Sequence, residues 1–139
     1  MEKNIDIIID FDGTSVSHAY PYIGKDIGAI PVLRKLITAG HKLILFTMRD
    51  KTQLEDAVNW FITNEINLYG IQRNPTQNRW TTSPKAYGQL IIDDAAIFAP
   101  LKFDPTISNR PFIDWNVMEK ELTRLKLINV EPLKEKKDV

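Results

Sequence analysis

Apolar positions along the chain fall into two alternating rhythms. Residues 5–9 (IDIII) form a near-continuous apolar run, as expected of a strand buried on both faces. A short buried helix would show the same pattern, but β-branched isoleucines favour the strand. Beyond a polar loop at 15–26, Ile30, Leu33, Leu36 and Ile37 recur at helical spacing, with Gly40 where a helix C-terminal glycine belongs. Residues 42–46 (KLILF) repeat the strand pattern and run into Thr47, Met48 and Arg49. Leu54, Ala57, Val58, Phe61 and Ile62 then mark one face of a second helix. A weaker strand is expected at 68–72. The stretch 74–84 (NPTQNRWTTSP) is rich in turn formers and amides and predicts an ordered loop. Residues 90–92 (LII) form another apolar strand, ending in Asp93 and Asp94. Trp115, Met118, Leu122 and Leu125 mark a C-terminal helix, with Asn116 and Glu119 at capping-box spacing as one start.

Strands that alternate with helices predict an α/β fold, because parallel neighbours need crossovers of a dozen or more residues. The expected architecture is a Rossmann-like three-layer α/β/α sandwich, with a mainly parallel sheet and helices on both faces. One domain over 1–130 accounts for the chain, followed by a charged, frayed tail at 131–139. In such sheets functional residues gather at the carboxyl ends of the strands. Here those ends carry Asp10 and Asp12, Thr47 and Arg49, and Asp93 and Asp94.

Composition narrows the partners. Lys plus Arg number 18 and Asp plus Glu number 18, so no global field favours nucleic acid or an anionic membrane, and any anion binding must be local. The chain has no cysteine, which excludes disulfides, thiol catalysis and cysteine-ligated metals. The first residues (MEKNID) lead straight into the first strand, and no stretch approaches the ~18 apolar residues of a membrane span. A cytoplasmic protein is expected.

Two carboxylates at the tip of an apolar strand need a reason. In IDIIIDFDGT, Asp10 and Asp12 project from the same side of an extended chain and repel each other unless a cation or a proton relieves them. Asp-Gly between apolar stretches is also a type I′ hairpin signal. A calcium loop starting at Asp10 fails, because Ser15 and Pro21 stand where Gly and a bidentate Glu are required. Thr47 and Arg49 read equally as strand-end and solvated residues, Asp50 or Thr52 as a helix cap, and Lys85 as a surface lysine. A second acidic pair at a second strand end, Asp93-Asp94, points to a divalent metal, with Mg²⁺ preferred for all-oxygen ligands. Alternation along the strand sends Asp93 and Asp94 opposite ways, so at least one must be near the mouth of the site. His18 and His41 lack zinc-site spacing and read as loop residues. Trp60 and Trp115 lie on helix faces and read as core, while Trp80, in the polar loop, either pins that loop or stacks on substrate.

Taken together, these residues resemble the haloacid dehalogenase superfamily of phosphohydrolases. Four pieces match in order: the DxDxT motif as Asp10, Asp12 and Thr14, the strand-end Thr47, the lysine as Lys85 and the acidic pair as Asp93-Asp94. They cover the chain from about Ile5 to Ala99. The resemblance implies that Asp10 is the nucleophile and Asp12 the acid/base. It implies that Mg²⁺ is held by Asp10, the main-chain carbonyl of Asp12 and Asp93, with Asp94 beside them. Thr47 and Lys85 would bind phosphate oxygens, assisted by Thr14 and Arg49 as substrate contacts.

Departures from the pattern are informative. Ser15 replaces the usual Leu or Ile, and Ile97 stands where many members carry a second acid or amide. Neither interval between the motifs holds a cap domain, so the short capless type is implied, with an open site or a lid from an oligomeric neighbour. The expected function is a Mg²⁺-dependent phosphatase acting through an aspartyl phosphate on a small phosphorylated substrate, with no nucleic-acid or membrane partner. The alternatives are a phosphate- or nucleotide-binding regulator with little turnover, and a phosphotransferase. Sugar phosphates, nucleotides and phosphorylated macromolecules all fit as substrates. Asn74, Gln77 and Asn78 suggest hydroxyl recognition but are equally turn formers.

Overall fold

The computed structural model of the chain describes residues 4–129. The expected tail at 131–139 lies outside the described residues. Strand β1 (Asp6–Ile9) is central, paired in parallel with β2 (Lys42–Leu45) on one side and β4 (Leu90–Ile92) on the other. Strand β3 (Leu68–Ile71) pairs in parallel with β2, giving the order β3-β2-β1-β4. Because Ile9 lies opposite both Leu45 and Ile92, the three strands end level. Their next residues, the polar ones, are therefore brought side by side.

Alternation along the strands separates two faces. Ile7, Ile9, Leu43, Leu45 and Ile92 share one cluster with the apolar residues of α1 (Ala29–Thr38), α2 (Lys51–Thr63) and α3 (Trp115–Arg124). Val32, Leu33 and Leu36 of α1 are buried there, each worth about 1.5–3 kcal/mol relative to exposure. Ile8 and Ile44 face the other way and form a small apolar cluster with Ala86 and Tyr69. That face is covered by the irregular crossover 72–89, and Ile91 on it is 54% exposed. Among the described residues, then, all three helices pack on one face. The helices expected on both faces are replaced on the second by the crossover, whose amides and turn formers favour local side-chain bonds over a helix.

This crossover is ordered by buried amides. Gln77, in a 3₁₀ turn at Gln77–Arg79, donates to the carbonyls of Ser83 (3.1 Å) and Lys85 (2.6 Å) and accepts the Tyr87 N–H (2.7 Å). Asn74 donates to the Asp6 carboxylate (2.8 Å), fixing the start of the crossover to the first strand. The expectation of an ordered loop is met, with the amides as its fasteners.

A short antiparallel pair, β5 (Leu101–Lys102) and β6 (Phe112–Ile113), precedes α3. The Ile113 N–H donates to the Gly13 carbonyl (3.0 Å), so this pair braces the loop after β1. The cap of α3 is Asp114, whose carboxylate accepts from the Asn116 and Val117 N–H groups. Asn116 itself lies inside the helix, because an acid one residue before the first turn reaches those donors directly. Asp50 does occupy the N-cap of α2, without a side-chain bond. No helix among the described residues is long and apolar enough to cross a membrane.

Candidate functional site

Site geometry starts with how β1 stops. The Phe11 carbonyl accepts N–H bonds from Thr14 (3.1 Å), Ser15 (2.8 Å) and Val16 (3.3 Å), closing a tight turn with Gly13 at φ 80°. A side chain at Gly13 would place its Cβ 2.1 Å from His18 Nε2 and 2.4 Å from Asp94 Oδ2, so glycine is required there for both conformation and space. The turn is not a hairpin, since both neighbours of β1 are parallel. It folds the chain back so that Thr14 and His18 flank the strand tip.

At that tip, carboxylate oxygens of Asp10, Asp93 and Asp94 all lie within 4.8 Å of one another. Both members of the Asp93-Asp94 pair take part, although strict strand alternation would have sent them apart. The strand ends at Ile92, and Asp93 opens a turn in which its carboxylate accepts the Ala95 N–H (2.8 Å) and its carbonyl the Ala96 N–H (3.1 Å). Ile97 is 86% exposed and lies outside this group.

Thr14 ties the cluster together from a fully buried position. Its hydroxyl lies 2.8 Å from Asp10 Oδ2 and 3.2 Å from Asp94 Oδ1, and accepts the Asp94 N–H (2.9 Å). A hydroxyl has one hydrogen, so this one is shared between two carboxylates and none remains for a substrate oxygen. Thr14 therefore fastens two acids together, a different task from the expected substrate contact. Ser15 Oγ donates to the Asp10 carbonyl (2.8 Å), which gives the unusual serine a structural task. Trp115 is core, as expected, and its Nε1 donates to the Thr14 carbonyl (2.7 Å).

The Asp10 carboxyl is raised from its ordinary 3.8 to about 8, first by burial, then by the hydrogen bond with Asp94 and the Asp93 charge, with Thr14 opposing. No cationic side chain among the described residues is a cause that offsets these effects. A divalent ion would reverse them, and three converging carboxylates would offer oxygen ligands to a hard cation such as Mg²⁺. The residues present fit the group.

The remaining predicted residues divide. Thr47 stands at the tip of β2, its N–H and carbonyl both held by the Gln72 side chain at 2.8 and 2.7 Å. Its hydroxyl accepts the Arg49 N–H (3.2 Å) and keeps its own hydrogen for a ligand. Arg49 is 1% exposed and forks onto Asp12, with Nε to Oδ2 and Nη2 to Oδ1 both at 2.8 Å. Its other donors reach the carbonyls of Pro21, Tyr22 and Gln53, and the guanidinium lies against the rings of Phe11 and Tyr20. With every N–H used, Arg49 has nothing left for a phosphate, so its expected substrate contact is replaced by a latch on Asp12. The Asp12 carboxylate is outside the three-acid cluster. Lys85 is exposed on the crossover and makes no ion pair with Asp10, Asp93 or Asp94.

His18 was legible only as a loop residue, yet its Nε2 sits 2.8 Å from Asp94 Oδ2. The contact joins residues 76 apart, and nothing in the local pattern announces it. Gln72, the clamp on Thr47, was equally silent; a non-glycine residue at φ 63° is a structural signal with no sequence mark. His41 is the structural histidine of the pair, buried between the Ile5 N–H and the Leu127 carbonyl.

No family model matches the chain, and no curated protein matches it. Among solved structures it is similar to a conserved protein from Bacteroides thetaiotaomicron, 28% identical with a TM-score of 0.71, over 89% of this chain and 93% of that one. That protein is described as conserved and no more, so the likeness supports the mixed α/β fold and is silent on chemistry.

Proposed function

We propose that this chain is a Mg²⁺-dependent phosphomonoester hydrolase of the haloacid dehalogenase type, capless, working through an aspartyl phosphate on Asp10. In this reading the fold is a reduced Rossmann-like sandwich, with the crossover 72–89 in place of the second helical layer. The carrying observation is the convergence of Asp10, Asp93 and Asp94 within 4.8 Å at level strand tips, beside a Thr47 hydroxyl with a free hydrogen. A bound divalent ion would screen these carboxylates from a phosphate dianion and stabilise charge on the transferring group.

The chain's own groups then divide the work. An Asp10 oxygen forms the new bond to phosphorus as the bond to the leaving oxygen breaks, and Asp12 supplies the proton that oxygen needs. Asp12 next takes a proton from water, which attacks the phosphorus and frees Asp10. Thr47 donates to a non-bridging oxygen throughout. Asp12 must therefore give up one Arg49 contact and take up a proton from solvent before the first step, and it regains that proton from the attacking water.

Hydrolysis of an aryl phosphate with added Mg²⁺ tests this. Asp10→Asn should lower kcat by about 10³-fold or more, and a chelator should abolish turnover. Activity that survives either treatment would sink the mechanism. One observation favours the second reading, a phosphate- or nucleotide-binding regulator with little turnover: both oxygens of Asp12 are already held by Arg49. Saturable ligand binding without hydrolysis across a panel of phosphate esters would select it.

A further inference from the structure

The chain is neutral overall, but its charges are not evenly placed. From 66 to 92 there is no Asp or Glu, while Arg73, Arg79 and Lys85 all fall in this stretch. None of these three side chains has an ion-pair or hydrogen-bond partner among the described residues. The crossover that carries them bears two adjoining open pockets of about 320 and 300 Å³, which share Gln77, Thr81, Ser83 and Ala86 as a common wall. Each is at the lower end of the size range of small-molecule sites.

The two cavities differ in chemistry. The first is lined by Arg73, Asn78 and Thr82, together with Gln72, whose amide clamps Thr47 at the tip of β2. The second is lined by Trp80, Tyr87 and Lys85 and floored by Ile91, two residues before Asp93 and so ~7 Å from it along the strand. Trp80 is 62% exposed and belongs to neither apolar cluster; it is held edge to face by Tyr87 with ring centres 5.1 Å apart. The three bonds of Gln77 make this a preformed aromatic platform, with its ordering cost already met in the free protein.

An aromatic face beside unpaired cations and amides is a nucleotide's complement. The ring stacks on any base, the guanidinium forks onto a phosphate, and the amides and hydroxyls reach sugar or base edges. We propose that the crossover 72–88 holds the leaving group of the substrate and that this leaving group is a nucleotide, with its base on Trp80 and a further phosphate at Arg73 or Lys85. The assignment rests on the phosphatase reading for the words leaving group, but the binding site stands on the crossover alone. A free nucleotide and the terminal nucleotide of a strand present the same chemistry.

Calorimetric titration in chelator tests it, with thymidine 3′,5′-bisphosphate, 5′-phosphorylated octathymidylate, inorganic phosphate and a phosphotyrosine peptide as probes. Both nucleotide probes should bind at least about tenfold more tightly than inorganic phosphate, and Trp80→Ala and Arg73→Gln should each weaken them about tenfold. Trp80→Phe should keep affinity within about threefold, since a smaller ring still stacks. Octathymidylate binding about tenfold tighter than the bisphosphate assigns a strand end, and equal binding a free nucleotide; either supports the site. Variants that bind like the wild type, or a phosphotyrosine peptide that outcompetes both nucleotides, would overturn it. Aryl phosphate turnover of the wild-type protein with Mg²⁺ separates the two claims. Turnover with loop variants that bind normally removes the nucleotide site alone. Binding through Trp80 and Arg73 without turnover of any ester removes the phosphatase reading and leaves the site.

Discussion

Asp10 is a carboxyl group placed where its charge is poorly solvated and next to two others. Its proton affinity is raised in the folded chain to about 8 from an ordinary 3.8, so between those values the native state holds a proton that the unfolded state has released. Linkage then makes stability fall as pH rises through that window, the reverse of a salt-bridged carboxylate. In chelator, the melting temperature of the protein should decline from pH 5 to pH 8, and Asp10→Asn, which cannot ionise, should flatten the decline. A melting temperature that climbs over that range in the wild type would show that Asp10 is not held as described. The IDIIIDFDGT pattern made the acids legible at this scale, together with Thr47. It did not show that Thr14 would be consumed between two carboxylates or that Arg49 would be consumed by Asp12. Those outcomes depend on which donors a neighbour leaves unused, and the neighbours are 37 and 80 residues away.

Among the elements, the crossover departs most from the expected form. An α/β reading supplies a helix for each parallel connection, and α1 and α2 follow it. The link from β3 to β4 instead uses amides, with Gln77 satisfying two carbonyls and one N–H from a position only 8% exposed. Leaving those groups unpaired costs more than the net worth of the bonds. Gln77→Ala should therefore cost about 2–3 kcal/mol. Urea denaturation would read this, and amide exchange at Tyr87 should speed up well before global unfolding. Unchanged stability and exchange would mean that water replaces the amide freely. The helix periods were readable because apolar side chains recur on one face. The choice of Asp114 over Asn116 as cap was not, since both residue types cap well and only the backbone path decides between them.

On the scale of the whole molecule, the sheet order gathers a negative cluster at the strand tips and lays a positive crossover over the second face of a neutral protein. Cation binding at the cluster would favour the folded chain, where the three carboxylates are assembled, over the unfolded chain, where they are dispersed. Mg²⁺ at a hundred times its dissociation constant should stabilise by about 2.7 kcal/mol, seen as a rise in melting temperature that Asp93→Asn reduces. A melting temperature indifferent to Mg²⁺ would speak against a metal at this site.

By itself the sequence determined the strands of the parallel sheet, the helices and the acids at the strand tips, because these follow from the period of apolar residues and from the turn chemistry of a few adjacent positions; it did not announce the short β5–β6 pair. Only the tertiary structure decided how those acids are used. It brought His18 to Asp94, closed Arg49 onto Asp12 and turned the amide-rich loop into a covering for the second face of the sheet. Side-chain pairing is settled by distance and by competition for hydrogens among residues far apart in the chain, and neither is written in local pattern.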